Sequence, residues 1–497
     1  MARIAVIGAG MGSLAAAARL ATGGHRVVVL ERAASYGGAL GQVARDGFAF
    51  DTGPGLLLLP AVQRDLFVKT GRESLERSVG LEQADPASRH VFADGTEVVL
   101  PNASRSGVME ALDGVLGAGR GERWSAVMLR AREAWEATRR PLLEDALGED
   151  TGPLGRDPYP AVRRRGLLRR PAPPTLAGIA DRELRDPRLA ALLESHALAY
   201  GFDPRTVPAA AAVLAYVEQT FGVWYVRGGM RALADAVYAR CLARKVEFRF
   251  GAEVVGLTEK DGRATGAELA DGDVVEADVV VAGAPLPALR GEGEGARPLV
   301  PGRLTVHLAL RGARPASTPH RTVVHAPDRV AALDAVFRPE SGGTAVPPTV
   351  TVLRPDDPAG RPDDAHEAVT LQVTVAPHAP RAPEGVDWEA PGFADTRAAA
   401  AVAAAEAAVP GLRERELFRL VRTPADTARD TGAPGGAVPR PALPGADGGY
   451  LHPANRSPLP NLYFVGGWSH PGGGLPHAGM SGAIVSDLIA GGPGGSR

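Results

Sequence analysis

The chain has 497 residues, of which 45% are hydrophobic and 23% are charged, and its formal net charge is −2 at pH 7. This length accommodates two or three domains, and the composition excludes a disordered chain. The small net charge, together with the lack of a basic helix carrying interleaved aromatic residues, excludes a nucleic-acid-binding protein.

The cysteine content bears on disulfides and zinc sites, and the hydropathy bears on the cellular compartment. Cys241 is the single cysteine, so an intramolecular disulfide is excluded, and no Cys and His cluster has the spacing of a zinc site. No apolar run approaches the ~20 residues that span a bilayer. Residues 3–7 have the pattern of a core strand, so we expect no cleaved signal peptide. We therefore expect a cytoplasmic protein without a metal, which can still contact a membrane surface.

Residues 3–31 have the pattern of one βαβ unit. An apolar strand leads into the turn Gly8-Ala9-Gly10-Met11-Gly12-Ser13, an Ala-rich helix follows, and a second strand ends at Glu31. Gly8 permits the tight turn, and Gly10 lets the backbone approach a pyrophosphate. The first N–H groups of the helix favour that anion, and Glu31, about 20 residues further on, is placed to bind a ribose. The unit predicts a dinucleotide site.

A second glycine-rich layer follows this unit. Arg32 is succeeded by Gly37-Gly38 and then by the aromatic strand and turn Phe48-Ala49-Phe50-Asp51-Thr52-Gly53-Pro54. Simple NAD-binding enzymes lack this layer, which is typical of a chain that wraps a long flavin cofactor. Residues 91–100 predict a hairpin with Asp94-Gly95 at its turn.

The periodicity then becomes helical from about residue 104 to residue 215, which indicates a different domain. Residues 124–139 and 189–200 are candidate amphipathic helices. Between them, residues 163–170 combine arginines with a leucine pair and lie between prolines. This segment is either a solvated loop or an interfacial segment whose arginines meet lipid phosphates.

The chain next returns to the nucleotide-binding part. A helix begins near Arg231, and strands are predicted at residues 246–250 and, as a buried parallel strand, at residues 278–284. Val254 lies where a backbone commonly meets an adenine. Strands at residues 303–310, 349–353 and 368–376 predict a sheet that forms the wall of a substrate cavity.

The C-terminal segment predicts a second cradle for the cofactor. The strand at residues 461–465 runs into Gly466-Gly467, the run His470-Pro471-Gly472-Gly473-Gly474-Leu475-Pro476 and Gly479-Met480, before a helix that reaches Ala490. A strand, glycines and a helix N-terminus form an anion site. The cofactor would therefore be held by both ends of the chain.

With these motifs in order, the sequence resembles the carotenoid (phytoene) desaturase family of FAD-dependent oxidoreductases. The resemblance rests on residues 8–31, 37–38 with 48–54, 222–225 with 228–230, 423–426 and 461–482, and it spans nearly the whole chain. The run from His470 to Pro476 is its most specific part and is nearest to desaturases of acyclic or hydroxylated carotenoids.

The resemblance implies an α/β fold, with a Rossmann-like FAD-binding domain assembled from discontinuous segments and an α+β substrate domain. It divides the chain into FAD-binding segments at residues 1–103, 216–285 and 416–497, a helical, membrane-facing substrate segment at 104–215, and a substrate-domain sheet and helix at 286–415. It also implies hydride transfer from an allylic carbon to flavin N5. The adjacent carbon loses a proton, and because a polyene delocalises the cation, a strong enzymic base is not required.

We expect the following residues to bind FAD: Gly8, Gly10, Met11, Gly12, Ser13, Glu31, Arg32, Gly37, Gly38, Gly53, Pro54, Val254, Gly466, Gly467, Gly474, Leu475, Pro476, Gly479 and Met480.

Four positions depart from the family pattern. Ser13 replaces a glycine, Ala39 stands where an arginine is usual, Gly467 stands where many flavoproteins carry an acid, and His477 occupies a position that is usually small or apolar. We expect FAD binding to survive these changes. An imidazole in an apolar tunnel needs a partner, and a polar group of the substrate would be one.

The candidate catalytic residues are His470, His477 and Glu218, with His196 as a further acid-base candidate. His470 is either a structural residue of its turn or catalytic, and His477 either packs or contacts substrate. Glu218 and His196 are either helix residues whose polar atoms already have hydrogen-bond partners or acid-base groups.

Three functions remain open at this stage. The first is an FAD-dependent desaturase of a carotenoid or related polyisoprenoid, a lipophilic substrate. The second is a flavoenzyme of the same fold that acts on a more polar natural product as an oxidase, saturase or redox-neutral isomerase. The third is a non-catalytic flavin-bound scaffold.

Overall fold

A computed structural model describes residues 1–162, 174–284, 299–339 and 346–491. Its strands in chain order are β1 (Arg3–Ile7), β2 (Arg26–Glu31), β3 (Gln42–Arg45), β4 (Phe48–Asp51), β5 (Leu57–Leu58), β6 (Leu81–Gln83), β7 (Ser88–Val91), β8 (Glu97–Leu100), β9 (Val223–Val226), β10 (Glu247–Phe250), β11 (Val254–Lys260), β12 (Arg263–Leu269), β13 (Val274–Glu276), β14 (Val279–Ala282), β15 (Gly302–Arg311), β16 (Arg321–Val324), β17 (Val350–Leu353), β18 (His366–Val375), β19 (Glu416–Arg422) and β20 (Leu462–Phe464).

Its α-helices are α1 (Met11–Thr22), α2 (Ala61–Gly71), α3 (Arg105–Leu116), α4 (Arg120–Arg139), α5 (Leu176–Ile179), α6 (Pro187–Leu198), α7 (Val213–Phe221), α8 (Met230–Ala243), α9 (Arg329–Phe337), α10 (Phe393–Ala405), α11 (Leu412–Arg415), α12 (Pro424–Thr431) and α13 (Leu475–Ala490).

A five-stranded parallel sheet forms the centre of the nucleotide-binding part, in the order β10-β2-β1-β14-β20. Its strands come from three separated stretches of the chain, and the apolar strands β1 and β14 are almost wholly buried. Helices α1, α8 and α13 pack together beside it. The predicted α/β fold with a discontinuous Rossmann-like domain is confirmed.

A seven-stranded sheet, in the order β19-β15-β18-β17-β16-β7-β8, forms the other main layer. It is antiparallel except for the β16–β7 pair. Helix α10 packs its alanines against the apolar side chains of β15 and β18. The three strands predicted for the substrate wall therefore lie side by side as β15, β17 and β18.

Two groups of strands pair with strands of other expected segments. The hairpin of β7 and β8, expected in the FAD-binding segment 1–103, pairs with β16, and β19, expected in the segment 416–497, pairs with β15. Alternation of apolar residues predicts a strand but not its distant partner, so the sequence did not predict these pairings. The division of the chain into segments stays a prediction.

Helices α3 to α7 form a separate apolar cluster around Trp124 and Phe202. The predicted helices at residues 124–139 and 189–200 correspond to α4 and α6. The candidate interfacial segment 163–170 lies outside the described residues. Among the described helices, none has the length and apolarity needed to cross a membrane.

The last helix begins earlier than expected. Residues up to Ala483 were expected to form a glycine-rich loop, but α13 starts at Leu475, with Gly474 as its N-cap and Pro476 in its first turn. Proline fits this position because the first N–H groups of a helix have no intrahelical partner. His477 therefore lies in the first turn of α13.

Candidate functional site

The turn after β1 forms an open cradle at the N-terminus of α1. Gly8 has a φ of +87°, and its N–H donates to the carbonyl of Leu30 at 2.7 Å. Gly10 is the N-cap of α1, no side chain caps the helix, and a Cβ on Gly10 would meet nothing within 4 Å. Open space therefore borders Gly10 at the N-terminus of α1, where the first N–H groups of a helix have no intrahelical partner, as an anion site requires.

Glu31 joins the end of β2 to this turn. Its carboxylate accepts the N–H of Ala9 at 2.6 Å and the N–H of Ala33 at 2.8 Å. Arg32, the next residue, donates to the carbonyl of Arg429 at 2.7 Å. Glu31 thus positions the glycine turn through one oxygen, while its expected contact with a ribose stays a prediction.

The Gly37-Gly38 pair packs directly on the turn. The N–H of Gly37 donates to the carbonyl of Ala9 at 2.8 Å, and a Cβ on Gly38 would lie 3.1 Å from the Cα of Gly10. Gly53 in turn packs so closely on Ala39 that a Cβ there would overlap the Ala39 carbonyl. Larger residues at these glycines would close the cradle.

The two ends of the chain meet at Gly12 and Gly466. A Cβ on Gly12 would lie 2.7 Å from the Cα of Gly466, and a Cβ on Gly482 would lie 2.8 Å from the backbone N of Ala16. Helices α1 and α13 therefore pack backbone to backbone. The departure at Ser13 is accommodated opposite Gly283, where a Cβ would overlap the Ser13 hydroxyl.

A buried polar network supports the C-terminal cradle. The side-chain amide of Asn455 donates to the carbonyls of Phe464 (3.0 Å) and His470 (2.7 Å), and the hydroxyl of Ser481 accepts the N–H of Gly466 at 3.0 Å. Asn455 is only 1% exposed. Sequence reasoning missed it, because a single Asn in a loop carries no motif.

The remaining predicted cofactor residues differ in their surroundings. Val254 is buried in the apolar cluster beside β14. A Cβ on Gly467 would lie 2.8 Å from Pro439, which leaves no room for the acid of other flavoproteins. Gly479 packs on α2, where a Cβ would lie 3.1 Å from Gln63 Nε2. Met480 packs against the helical cluster.

Gln63 is a residue that the sequence did not indicate. It is 1% exposed, and both polar atoms of its side-chain amide lack a hydrogen-bond partner. Buried amides are almost always satisfied, so this side chain on α2, beside the first turns of α13, is able to bond a polar ligand group.

Two aspartates fix the segment that contains Gly228 and Gly229. Asp51 accepts the N–H groups of Met230 and Arg231, and Asp357 accepts the N–H of Gly228 at 2.6 Å and the hydroxyl of Tyr225 at 2.8 Å. Burial raises the pKa of Asp51 to about 6. Two motifs that the sequence showed separately are thus joined by hydrogen bonds.

A large cavity with several charged side chains in its wall lies between the seven-stranded sheet and helices α6 and α7. It encloses about 1110 Å³, its open mouth included, and its wall carries Glu218, Arg321, His196 and Arg303. We call this the polar cavity. Its other lining residues include Pro54, Leu58, His90, Tyr200, Leu214, Gln372 and Thr374.

Glu218 is part of an ion pair in this cavity. Its carboxylate accepts two hydrogen bonds from the guanidinium of Arg321, one of them at 3.0 Å, and lies 3.4 Å from His196 Nε2. Burial alone would raise the pKa of Glu218, yet Arg321 and then His196 hold that pKa well below its usual value. The structure thus joins two residues that were singled out separately, and it leaves the carboxylate ionised and weakly basic.

An apolar cavity adjoins the polar cavity and shares Leu58, Tyr200 and Leu214 with it. It encloses about 630 Å³, its mouth included, and the first turn of α13 contributes Pro476 and His477 to its wall. Its other lining residues include Trp135, Leu142, Leu143, Val213, Val217 and Leu443. We call this the apolar cavity.

The two candidate histidines have different surroundings. His477 lines the apolar cavity, its Nδ1 has no hydrogen-bond partner, and burial lowers its pKa to about 3. His470 is fully buried, its Nε2 lies 3.1 Å from the carbonyl of Asp145, and burial lowers its pKa to about 4. Both rings are therefore neutral at pH 7, and only His477 lines one of the two cavities.

The family described as flavin containing amine oxidoreductase matches residues 14–383. The match therefore covers most of the chain, from the first helix of the N-terminal βαβ unit to the strand region that forms the cavity walls.

Similar curated proteins cover nearly the whole chain. A 4,4'-diapolycopene oxygenase from Methylomonas sp. is 30% identical over 507 residues, which cover 98% of each chain. A hydroxyneurosporene desaturase from Rubrivivax gelatinosus is 29% identical and covers 98% of this chain and 93% of its own. A zeta-carotene-forming phytoene desaturase from Myxococcus xanthus is also 29% identical, with the same coverage.

Among solved structures, an oxidoreductase from Methanosarcina mazei has a TM-score of 0.65 at 17% identity and covers 98% of this chain and 100% of its own. A putrescine oxidase bound to putrescine has a TM-score of 0.63 at 15% identity, with 98% and 99% coverage. These two structures share the fold.

Proposed function

Because the chain belongs to the flavin containing amine oxidoreductase family, and within it to the carotenoid desaturases, we propose that it desaturates a carotenoid or related polyisoprenoid. It is an FAD-dependent oxidoreductase that acts on CH–CH groups. The observation that carries the proposal is the apolar cavity, whose wall includes the first turn of α13, the same helix that completes the double glycine cradle. A lipophilic chain in this cavity would lie next to the cofactor site.

FAD is the cofactor, and the residues of the double cradle fit it. The open space in front of Gly10 suits a pyrophosphate, and Glu31 ends β2 beside that turn. The unpartnered amide of Gln63 suits a polar group of the cofactor near α13. We propose that FAD is held by the nineteen residues expected from the sequence, with Gln63 added to them.

When bound, FAD supplies an acceptor for the hydride of an allylic C–H bond, at flavin N5. The protein contributes orientation and the exclusion of water. Leu142, Leu143 and Val217 line the apolar cavity, so a polyene there would exchange water for apolar side chains at about 25 cal/mol per Å² of buried surface. A proton then leaves the neighbouring carbon, and a double bond forms.

Weak bases are sufficient for this proton transfer, since a conjugated cation is strongly acidic at the adjacent carbon. We propose Glu218 as the acceptor when the reacting carbon lies at the polar cavity, and His477 when it lies in the apolar cavity. Both groups have a pKa below its usual value, Glu218 mainly through Arg321 and His477 through burial. His470 is then a structural residue of its turn, bonded to the carbonyl of Asp145.

Purified holoenzyme tests the proposal directly. Denaturation should release free FAD, and an acyclic carotenoid in detergent should bleach the flavin absorption under anaerobic conditions. Mass spectrometry of the product should show the loss of two hydrogen atoms. Bleaching without that loss, or a gain of oxygen under air as the sole product, would contradict the proposed desaturation.

We also propose peripheral contact with a membrane through residues 163–170, on the basis of sequence alone. Each arginine near anionic lipid contributes on the order of 1 kcal/mol, and the attraction weakens with salt. Sedimentation with anionic liposomes at low and high salt measures it. If a variant with these arginines changed to Gln sediments as the wild type does, the contact does not involve this segment.

A further inference from the structure

Arg303, at the start of β15, is a cation on the wall of the polar cavity without a carboxylate partner among the described residues. Its guanidinium donates to the carbonyl of Ala199 at 2.5 Å and to Gln372 Oε1 at 3.4 Å. A guanidinium carries five N–H donors. Three donors of Arg303 thus remain for a ligand in the cavity.

Arg321, the second arginine in the wall of the polar cavity, differs from Arg303 in having a carboxylate partner. Arg321 is neutralised by the carboxylate of Glu218, which it binds through two hydrogen bonds. The two arginines and one carboxylate leave a net positive charge in a partly desolvated space. Burial also lowers the pKa of Arg303, which reflects the cost of holding this charge without a counter-ion. That cost falls when an anionic or strongly accepting oxygen enters.

We propose that Arg303 binds an oxygen-bearing end group of the substrate, so that the enzyme acts on an oxygenated polyisoprenoid rather than on a pure hydrocarbon. This inference rests on the proposed function and specifies its substrate class. A carboxylate should bind most tightly because it neutralises the guanidinium, an alcohol or carbonyl less tightly, and a hydrocarbon end least.

The arrangement of the cavities suits such a molecule. The polar and apolar cavities are adjacent, because Leu58, Tyr200 and Leu214 line both of them. The proposal places the chain of one molecule in the apolar cavity and its end group at Arg303. Burial raises the pKa of Tyr200 to about 12, which keeps its hydroxyl protonated. Gln372 and Thr374 add further polar groups beside the guanidinium.

Binding of three polyenes to the FAD-loaded enzyme tests the proposal. The probes are all-trans-retinoic acid, all-trans-retinol and a hydrocarbon polyene of matched length. The wild type should bind the acid roughly ten- to a hundredfold more tightly than the hydrocarbon, as expected for hydrogen bonds to a charged group. Equal affinities for all three probes in the wild type would overturn the proposal whatever the variants do.

Three variants assign the preference to this side chain. Arg303→Met should abolish the preference for the acid while it retains FAD and hydrocarbon binding, and Arg303→Lys should keep part of it. Arg311→Met, at the exposed far end of the same strand, is the matched control and should behave as the wild type. A preference that survives in Arg303→Met, or loss of FAD from both Arg303 variants, would overturn the proposal.

These results are separable from a failure of the proposed function. If carotenoids bleach the flavin and lose hydrogen atoms but no probe shows a preference, desaturation stands and the role of Arg303 is wrong. If no polyene reduces the flavin while the acid binds tightly through Arg303, the end-group site stands and desaturation is wrong.

Discussion

The carboxylate of Asp51 accepts the backbone N–H of Met230 at 2.7 Å, so the last residue of the aromatic strand β4 caps helix α8. The same carboxylate accepts the N–H of Arg231 at 3.1 Å. A Cβ on Gly229 would lie 2.6 Å from a carboxylate oxygen of Asp51, so the glycine is required for this approach. The cap ties the second glycine-rich layer of the cofactor site to a helix far along the chain.

We predict that Asp51→Ala lowers the free energy of unfolding by about 1–2 kcal/mol, because two buried N–H groups lose their acceptor. Urea denaturation at pH 8, where Asp51 is ionised, measures the change. The control is Asp487→Ala at an exposed position of α13, which should change stability by less than ~0.5 kcal/mol. Equal stabilities of the two variants would show that the cap contributes nothing.

We predict that Gly12→Ala destabilises the protein by about 1–3 kcal/mol and lowers its FAD content, because the new Cβ would lie 2.7 Å from the Cα of Gly466. Helix α3 offers a matched control in Gly114, where a Cβ meets nothing within 4 Å. Gly114→Ala should be neutral or stabilising by up to ~1 kcal/mol. Flavin absorbance per protein and thermal unfolding measure both effects, and full FAD content in Gly12→Ala would contradict the close approach.

The sequence predicted those parts of the molecule in which the signal is local. The glycine turn, the acidic end of β2 and the hairpin at Asp94 all show spacing or turn chemistry within a few residues, and the structure has each of them. It did not predict the partners of β7, β8 and β19, because strand partners are set by distant contacts.

The residues of the candidate site were likewise predictable only where a local motif marks them. Gln63, Asn455 and Asp357 were missed because each acts singly, through atoms that only the folded chain brings together. The start of α13 was placed too late because glycine and proline normally end helices, whereas here Pro476 occupies the first turn and Gly482 allows close contact with α1.

The ion pair in the polar cavity should be strongly coupled. Glu218→Gln leaves the guanidinium of Arg321 uncompensated, and we predict a loss of about 3 kcal/mol in the free energy of unfolding. The double variant Glu218→Gln/Arg321→Met should recover part of this loss. A double-mutant cycle by urea denaturation measures the coupling. Glu136→Gln, which breaks the exposed pair with Arg132, should cost less than ~0.5 kcal/mol. A coupling energy between Glu218 and Arg321 of less than ~0.5 kcal/mol would contradict this pairing.

Stability should fall as the pH decreases below about 6.5. Burial lowers the pKa of His307, His320 and His325 to about 3, so these rings stay neutral in the folded state while they take up protons in the unfolded chain. Each ring then reduces the free energy of unfolding by up to about 1.4 kcal/mol per pH unit between pH 6.5 and pH 3.

Two buried carboxyl groups act in the opposite sense. Burial raises the pKa of Asp51 to about 6 and that of Glu194 to about 7, so the folded state binds protons there that the unfolded chain releases. Between about pH 4 and pH 7, these two groups therefore offset part of the loss in the free energy of unfolding that the histidines cause. Urea denaturation at pH 8, 6 and 5 should give decreasing stability, with a smaller slope for His320→Gln. A pH dependence that is the same in His320→Gln as in the wild type would show that His320 titrates normally.

The last prediction concerns His477, whose ring lines the apolar cavity with an unpartnered Nδ1. If a polar group of the substrate supplies the missing partner, His477→Ala should leave the FAD content unchanged and slow flavin reduction by that substrate. Loss of one hydrogen bond to a neutral ring is worth about 0.5–1.5 kcal/mol, which corresponds to a change of roughly tenfold or less. Anaerobic stopped-flow absorbance with a hydrocarbon carotenoid and with an oxygenated one measures the rate of flavin reduction.

The comparison variant is His470→Ala, which removes the contact with the Asp145 carbonyl. It should reduce the FAD content or the stability of the protein, so that flavin reduction is affected alike with both substrates. If His477→Ala leaves the reduction rate unchanged for both substrates, this ring only packs. The reaction depends on the position of the substrate, so removing an imidazole that bonds the substrate would slow it.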